Sequence, residues 1–517
     1  IEKLISESDA SEIGCFKQTN AGRKVNSLFP EHEEMLAEKI LLILGKNIRL
    51  LDADESVRKS ARSGQGVPWK RWARRTAALF YRLIRPAPGP GAKAKLLVCS
   101  GPRHIESLLP ELVKQWDVLY LDESFRIAKL PLVIRNGIRY YDYETLKKEL
   151  DQNVLDRLSK FKAERAKNLS DFLRILKAEK VFMLKDNDIF GLLKNQMEYF
   201  FKEWVCEVTQ TIETFQYFIK KEHYDAVLVD EDTVTFRKAL VQTAKRHGAS
   251  TFQIPHGINF GDIQYDLFPV SSDYLLIGGN GISRYYQSHG IDQTRLRVTG
   301  IPRYDRLSTM DVQKERRNVL SSLRLDPEDQ VLTLASTAIY AMDIRCTGRQ
   351  QKAGIRDFIE ALRRLPQKSL IVKLHPMDLD AEATFSLIYQ SGIKNIRVVK
   401  NMDAWRVLSA SDMVVSFLSN MAIEALMIGR PTVILDYFDY SASYVPFFKE
   451  DGSLLCAKNA GQIHNLLVKG LSGETDFLRT ITSAREWFQR EWVGPLDGRS
   501  SQRVIDAIAS CSKFQRN

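Results

Sequence analysis

The chain has 517 residues, more than one hydrophobic core usually serves, and its 44% hydrophobic and 27% charged content is that of an ordinary globular protein with two or more domains. None of the six cysteines lies in a CxxC motif or a Cys/His cluster, and no apolar stretch approaches the roughly 18 residues that cross a bilayer, which argues against a cysteine-metal site and a membrane span. The 75 basic and 64 acidic residues give a net charge of +11, which suits an anionic ligand, a membrane surface or a nucleic acid without choosing among them.

Residues 1–91 are predicted to form an N-terminal helical and linker region. Within it, residues 67–85 place aromatic and aliphatic side chains at helical spacing, with lysines and arginines at the remaining angles. Trp69 and Trp72 begin this basic amphipathic helix, which can lie on an anionic lipid surface. Packing of the helix on its own domain is the alternative. The sequence starts at Ile1 and shows no basic-then-apolar leader after it.

Residues 92–315 are predicted to form a first domain in which strands and helices alternate. A long, charged, periodic stretch at 143–221 predicts a helical insertion in this domain. The predicted strands are Leu96–Cys99, Asp117–Leu121, Ala226–Val229, Thr251–Ile254, Tyr274–Ile277 and Leu296–Val298.

Residues 316–517 are predicted to form a second alternating domain, followed by further helix at 475–512. Its predicted strands are Val331–Leu334, Ser369–Leu374, Ile396–Val399, Met413–Val415, Thr432–Leu435 and Ser453–Cys456. Two series in which strands alternate with helices predict an α/β protein with two parallel sheets.

Polar side chains follow two of the strands predicted for the second domain. His375 and Pro376 end one strand, and Ser416, Ser419 and Asn420 end another, where a helix containing Glu424 begins. Ligands of open α/β sheets bind at the carboxyl ends of the strands, and a helix N-terminus offers N–H groups to a phosphate. These residues therefore predict a nucleotide or phosphate site. Individually, the serines could be helix caps and the glutamate could be solvated.

Three further groups follow strands of the first domain. Glu231 and Asp232 could accept a proton from a hydroxyl, or Asp232 or Thr233 could start the following helix as a cap. His256, in Pro-His-Gly, could be a general base, a ligand-orienting group or a partner of a loop carbonyl. Arg303, in Gly-Ile-Pro-Arg, could contact a phosphate with both its terminal nitrogens or form a surface salt bridge.

Several functional classes lack their motifs in this sequence. GxxxxGK[ST] is absent, and no GxGxxG follows the first strand of either series, which argues against a P-loop enzyme and a dinucleotide oxidoreductase. HExxH and related metal arrays are absent, and no nucleic-acid reading motif occurs.

The order of these motifs resembles that of the GT-B glycosyltransferase superfamily. The acidic run, Pro-His-Gly, Thr-Gly-Ile-Pro-Arg-Tyr-Asp, Lys-Leu-His-Pro and Ser-Phe-Leu-Ser-Asn follow one another as in bacterial cell-surface transferases. These include CDP-glycerol glycerophosphotransferases, polysialyltransferases and Kdo transferases with a His-Pro motif, and UDP-N-acetylglucosamine 2-epimerases share much of the scaffold. The resemblance covers about residues 95–510, and Asp497–Ser500 with Arg503 is similar to the terminal segment of the glycerophosphotransferases.

The resemblance implies two Rossmann-like domains that face each other across a cleft, with the activated donor held by the C-terminal domain. His375 would contact the donor phosphate, Ser416 and Ser419 would add hydrogen bonds, and Glu424 would meet the ribose. His256 matches the histidine of glycerophosphotransferases, and Glu231 or Asp232 matches the acidic pair of polysialyltransferases. One of these three would take the proton of the acceptor hydroxyl, without a catalytic metal or a cofactor.

The leading hypothesis is an inverting glycosyltransferase that moves a sugar from a nucleotide donor, CMP-linked by resemblance, to a cell-surface polysaccharide or glycolipid of the capsule or lipopolysaccharide kind. A glycerol- or ribitol-phosphate transferase using a CDP-polyol, and a UDP-sugar 2-epimerase, are alternatives on the same scaffold. No nucleic-acid partner is expected. The basic helix at 67–85 would place the enzyme at the inner face of the bacterial cell membrane.

Overall fold

The computed structural model describes residues 12–16, 47–51, 93–101, 105, 107–184, 187–255, 269–337, 348–366, 368–375, 381–417, 419–438 and 455–512. The predicted basic helix at 67–85, His256 and Pro376 lie outside the described residues, so their predictions stay as they are.

Most strands belong to two large sheets. The strands are β1 (Glu12–Phe16), β2 (Asn47–Leu51), β3 (Lys95–Cys99), β4 (Asp117–Asp122), β5 (Arg139–Asp142), β6 (Met183–Leu184), β7 (Asn187–Asp188), β8 (Ala226–Val229), β9 (Ser250–Gln253), β10 (Tyr274–Ile277), β11 (Leu296–Val298), β12 (Val331–Ala335), β13 (Ser369–Lys373), β14 (Ile396–Val399), β15 (Met413–Ser416), β16 (Thr432–Leu435) and β17 (Leu455–Ala457).

The helices mostly alternate with these strands. The α-helices are α1 (Leu109–Gln115), α2 (Leu130–Arg135), α3 (Tyr143–Lys148), α4 (Gln152–Ala178), α5 (Phe190–Tyr199), α6 (Val205–Glu222), α7 (Thr235–Arg246), α8 (Asn280–Ser288), α9 (Val312–Leu323), α10 (Gly348–Arg363), α11 (Ala381–Tyr389), α12 (Ala404–Ala410), α13 (Asn420–Met427), α14 (Ala460–Ser472), α15 (Thr475–Phe488) and α16 (Ser500–Cys511). Short 3₁₀ segments occur at Ile127–Lys129, Gln293–Arg295 and Pro302–Ser308, and π segments at Phe200–Trp204 and Gln489–Val493.

Both large sheets are doubly wound. The seven-stranded sheet has the order β11-β10-β9-β8-β3-β4-β5, and the six-stranded sheet has the order β14-β13-β12-β15-β16-β17. In each sheet the chain starts in the middle, builds to one edge, and then returns to build the other half. The order therefore reverses between β3 and β8 in the first sheet and between β12 and β15 in the second, the place where such sheets bind ligands.

The helical insertion predicted at 143–221 consists of α3 to α6, interrupted by the short antiparallel pair of β6 and β7. Contacts within the chain define two compact units, and this insertion belongs to the first of them, Ile1–Cys99 with Asp117–Val227 and Val234–Ala249. Leu169 and Leu173 of α4 pack there with Phe190 in a small apolar cluster. Most of α4 is exposed, which explains its charged sequence.

The second unit consists of Ser100–Trp116, Leu228–Thr233 and Ser250–Asn517. Its central strands β12, β13, β15 and β16 are buried on both faces, as expected for parallel sheets, and Leu332, Val372 and Val415 contribute to one continuous apolar core. Tyr304 packs edge-on against Trp405 in the same core, with ring centroids 5.2 Å apart.

Strand β5 was missed by the sequence analysis because it begins with a charged residue. Arg139 is buried there, which is tolerated because its guanidinium pairs with Asp117 at 3.0 Å and with Glu222 at 3.2 Å. Helices α2, α9 and α14 were also not predicted, whereas twelve of the thirteen strands in the two large sheets were predicted to within a few residues.

Candidate active site

The reversal point of the second sheet gathers the polar residues predicted for a phosphate site. Ser336 follows β12, His375 follows β13, and Ser416 is the last residue of β15. In the register of the sheet, Ala335 lies opposite both Lys373 and Ser416, so these three chain segments end side by side. The structure thus brings His375 and Ser416 to the same edge.

A hydrogen bond fixes the backbone at His375. Its N–H donates to Ser336 Oγ at 2.9 Å, and the N–H of Ser336 donates to the carbonyl of Lys373 at 3.0 Å. Ser336 is 3% exposed, whereas His375 is half-buried. The imidazole is therefore carried by a segment whose main chain is held at the end of β13.

The two predicted serines are neighbours at the start of α13. Ser416 Oγ donates to the carbonyl of Phe417 at 2.6 Å and lies 3.2 Å from Ser419 Oγ. Ser419 is the N-cap residue of α13, with extended backbone, and its hydroxyl caps no helix N–H among the described residues. Asn420 is half-buried and begins the helix. This end of α13 can hydrogen-bond an anionic group.

Arg303 and Glu424, predicted separately from two parts of the sequence, form an ion pair. The side chain of Arg303 is 15% exposed and that of Glu424 is 7% exposed. Burial works to lower the pKa of Arg303, but the charge of Glu424 and the neighbouring Tyr304 outweigh it and raise the pKa above its usual value. The guanidinium also lies over the Tyr304 ring, 5.3 Å from its centroid.

At the reversal point of the first sheet, the acidic run follows β8. Asp230 is 3% exposed and accepts a hydrogen bond from the N–H of Gly101, which follows β3, at 2.7 Å. The carboxylates therefore lie at the carboxyl end of β8, the end at which doubly wound sheets generally bind ligands.

Asp232 and Glu231 have different surroundings. One oxygen of Asp232 accepts from the N–H groups of Ser271 and Ser272, at 2.8 and 2.5 Å, and from Ser272 Oγ at 2.7 Å. Asp232 is fully buried, and these bonds hold the turn that precedes β10. Glu231 is half-buried and accepts from Thr233 Oγ1 at 3.1 Å. Helix α7 begins at Thr235, so neither acidic residue is its N-cap.

Gln351 was not predicted from the sequence, although it contacts this region of the second sheet. Its Oε1 accepts from the N–H of Thr337 and its Nε2 donates to Thr384 Oγ1, both at 3.3 Å. A glutamine inside a helix carries no sequence signal for such a contact. Ser336 does carry one, because a small polar residue directly after a buried strand is the pattern that identified Ser416.

The described residues contain neither a metal-binding cluster nor a membrane-spanning helix. No group of three or more His, Cys, Asp and Glu side chains could hold a metal ion there. Among the helices in the described part of the chain, none is long and apolar enough to span a membrane.

Comparisons with solved structures show where this architecture recurs. The UDP-GlcNAc 2-epimerase from Neisseria meningitidis bound to UDP-GlcNAc is 13% identical and aligns with a TM-score of 0.52, over 81% of this chain and 100% of that chain. MnaA of S. aureus in a co-structure with UDP is 14% identical, with a TM-score of 0.50 over 81% and 96%. The wall teichoic acid polymerase TagF is 12% identical, with a TM-score of 0.48 over 89% and 98%.

These likenesses concern the fold, because the sequence identities are low. The first two agree with the two doubly wound sheets and confirm the predicted two-domain α/β GT-B architecture. No curated protein matches the sequence significantly. The model of one protein family, CDP-Glycerol:Poly(glycerophosphate) glycerophosphotransferase, matches residues 207–510, which is more than half of the chain. The chain therefore belongs to the CDP-glycerol:poly(glycerophosphate) glycerophosphotransferase family and is a transferase that uses a nucleotide-activated donor.

Proposed function

We propose that this enzyme transfers a polyol phosphate from a CDP-activated polyol to a hydroxyl group of a cell-surface polymer. The observation that carries the proposal is the family match over residues 207–510, which includes both the acidic run after β8 and the polar cluster at the reversal point of the second sheet. Of the functions that the sequence left open, the proposal favours polyol-phosphate transfer from a CDP-polyol over sugar transfer.

The chemistry needs one displacement at phosphorus. The acceptor oxygen attacks the phosphorus that bears the polyol, a new P–O bond forms, and the P–O bond to CMP breaks with CMP leaving. The acceptor proton passes to a general base. Of the predicted bases, Glu231 is favoured over Asp232 because its carboxylate is partly exposed, whereas Asp232 is buried and holds the turn at Ser271 and Ser272. His256 remains the other base in this proposal.

The donor would be held by the polar cluster of the second sheet. His375 and Pro376 would contact its phosphates, and the hydroxyls of Ser416 and Ser419 with the start of α13 at Asn420 would supply hydrogen bonds. What supports this arrangement is the convergence of β12, β13 and β15 at one edge. Arg303 and Glu424 would enter as a pair, with Glu424 toward the ribose.

Transfer of a sugar from a CMP-sugar is the second function, favoured by the partly exposed Glu231 in an acidic run at the reversal point of the first sheet. Both reactions release CMP, but they break different bonds. Sugar transfer breaks the bond between the anomeric carbon and oxygen, so its product gains no phosphorus.

The test begins with nucleotide binding, followed by product analysis. We expect CMP and CDP-glycerol or CDP-ribitol to raise the melting temperature, and transfer to give a phosphodiester visible by ³¹P NMR. His375→Ala should abolish this stabilisation and turnover, whereas His464→Ala, a half-buried histidine on α14, should retain both. Transfer should persist in EDTA, because the family resemblance implies no catalytic metal.

Three outcomes would contradict the proposal. A product without phosphorus would establish sugar transfer in its place. Interconversion of UDP-sugars without any acceptor would identify an epimerase. Normal donor affinity in His375→Ala would show that the phosphates are bound elsewhere.

The acceptor and location belong to the same proposal. We place the enzyme at the inner face of the cell membrane, held there by the basic helix predicted at 67–85, where a surface polymer or glycolipid would be extended. The support is the pattern of basic and aromatic residues in that segment, including Trp69 and Trp72.

A further inference from the structure

We infer that helix α10 aligns the two halves of the proposed donor site, and that Gln351, Gly354 and Asp357 are its positioning residues. The inference rests on the proposed donor site and adds residues that do not themselves touch the donor. The three residues follow one another at intervals of three, so they form one slanted row along the helix surface. Gln351 contacts the segments after β12 and β13, Gly354 contacts the segment after β15, and Asp357 contacts the segment after β16.

Gln351 connects the segments after β12 and β13. The side chain is 1% exposed, and its amide bonds both the N–H of Thr337 and the hydroxyl of Thr384 at the start of α11. Thr337 adjoins Ser336, which accepts the hydrogen bond from the N–H of His375. A buried amide is tolerated only when it is hydrogen-bonded, so this contact specifies one position of α10 relative to His375.

Gly354 brings α10 against the segment after β15. A Cβ atom at this position would lie 2.9 and 3.0 Å from two carbons of the Phe417 ring and 3.0 Å from a carbon of Tyr437. Phe417 is fully buried and directly follows Ser416. Any side chain at Gly354 would therefore displace the ring of the residue next to Ser416.

Asp357 extends the row to the segment after β16. It accepts a hydrogen bond from the Tyr437 hydroxyl. Burial and the carboxylate of Asp357 raise the pKa of Tyr437, which keeps the phenol protonated as a donor. One helix thus sets the spacing between the His375 side and the Ser416 side of the site.

The experiment measures the CMP dissociation constant, the donor KM, kcat and the free energy of unfolding of the full chain. In Gln351→Met, which removes the amide hydrogen bonds, and in Gly354→Ala, which displaces the Phe417 ring, we expect the CMP dissociation constant and donor KM to rise about fivefold. The acceptor KM should stay within about twofold, because the other sheet is unaffected. Thr384→Val should reproduce the effect, and Thr384→Ser, which keeps the hydroxyl, should restore binding.

Matched controls separate positioning from loss of stability. Thr333→Val removes a buried hydroxyl pair with Ser411 at 2.6 Å, on the same strand that leads to Ser336, and should lower stability without changing CMP affinity. Gly461→Ala adds a Cβ on α14 whose nearest neighbour is 3.4 Å away, so CMP affinity should be unchanged and the free energy of unfolding should not fall.

Three results would overturn the inference. If folded Gln351→Met, Gly354→Ala and Thr384→Val bind CMP as the wild type does, α10 has only a structural role. If Thr333→Val weakens CMP binding as much as they do, the effect comes from general destabilisation. A wild-type protein that binds no cytidine nucleotide would refute the proposed function itself, and the inference with it.

Discussion

Arg303 and Glu424 neutralise each other in surroundings that admit little water. The sequence did not predict that these two residues pair, because they are 121 positions apart. Arg303 follows a strand of the first sheet, and Glu424 follows a strand of the second. A lone arginine after a strand was compatible with a phosphate contact or a surface salt bridge. The structure adds a third arrangement, in which the arginine is buried and held by a carboxylate of the same proposed site.

Removal of Arg303 should expose the cost of this burial. Arg303→Met leaves the Glu424 carboxylate buried without its cation, and we expect the free energy of unfolding to fall by about 3 kcal/mol. The control is Arg306→Met, three residues further on, whose partner Asp403 is 47% exposed and whose loss should cost below about 1 kcal/mol. Urea denaturation measures both, and equal effects would show that the buried pair has no special weight.

Substitutions of Asp232 and Glu231 should affect different quantities, the first stability and the second turnover. Asp232→Ala leaves two backbone N–H groups and a hydroxyl without their acceptor, and should cost about 3 kcal/mol of stability. Glu231→Gln should change stability by less than about 0.5 kcal/mol and strongly lower kcat. Denaturation and steady-state kinetics of both variants decide the matter. A Glu231→Gln enzyme with wild-type kcat would leave His256 as the base.

Helix α16 forms hydrogen bonds with residues 195 to 204 positions earlier in the chain. The carboxylate of Asp305 accepts from the N–H groups of Ser500 and Ser501, at 2.9 and 2.6 Å, and so caps this helix from outside. Arg503 donates to the carbonyl of Thr299 at 2.7 Å. Gly300 has a φ of +77°, and a Cβ there would lie 2.5 Å from Ser500 Oγ. The terminal motif, Asp497–Ser500 with Arg503, thus holds α16 against the segment that carries Arg303.

The ion pair between Asp497 and Arg503 should make this docking sensitive to acid. Hydrogen bonds from Arg503 lower the pKa of Asp497 from 3.8 to about 2. Because the folded-state pKa is depressed, the stabilisation is complete above pH 4 to 5 and is lost as pH falls toward 2. The difference in unfolding free energy between wild type and Asp497→Asn should be below about 1 kcal/mol and should vanish over that range. A difference independent of pH would refute this.

Element boundaries in the two sheets were predicted well because buried parallel strands read as short apolar runs between turns. The one strand that was missed in these sheets has an apolar pattern broken by a residue with distant partners. In β5 this residue is Arg139, paired with Asp117 and Glu222. The contacts of α10 could not be predicted for the same reason, since Gln351 is specified by residues after two other strands.

At the scale of the whole molecule, strand order explains why the sequence predicted polar residues at the reversal point of each large sheet. In a doubly wound sheet, the residues after the first and fourth strands come together at the reversal point. The pattern of polar residues after apolar runs therefore predicted Ser416 and the acidic run at these two points, and His375 after the adjacent strand β13. It could not rank the three carboxylates, because their hydrogen bonds come from turns that the pattern does not describe.

Membrane attachment through the helix predicted at 67–85 is a prediction about the whole molecule. We expect the full chain to bind vesicles containing anionic lipid, and Trp69→Glu with Trp72→Glu to reduce binding at least tenfold, because both side chains belong to the apolar side of the predicted helix. The control is Val468→Glu, a 43% exposed residue on α14. Unchanged binding in the double variant would favour packing of the helix on its own domain.

The outside cap on α16 also has a consequence for how the protein is made. Asp305 is joined to residues 195 and 196 positions later in the chain. During synthesis, the turn at Gly300 and Asp305 must wait for those residues to leave the ribosome, at roughly 5–20 residues per second. The Arg303 segment therefore reaches its final form only after the second sheet has been translated, so a nascent chain cannot assemble the Arg303–Glu424 pair and its support before Ser500 and Ser501 have been synthesised.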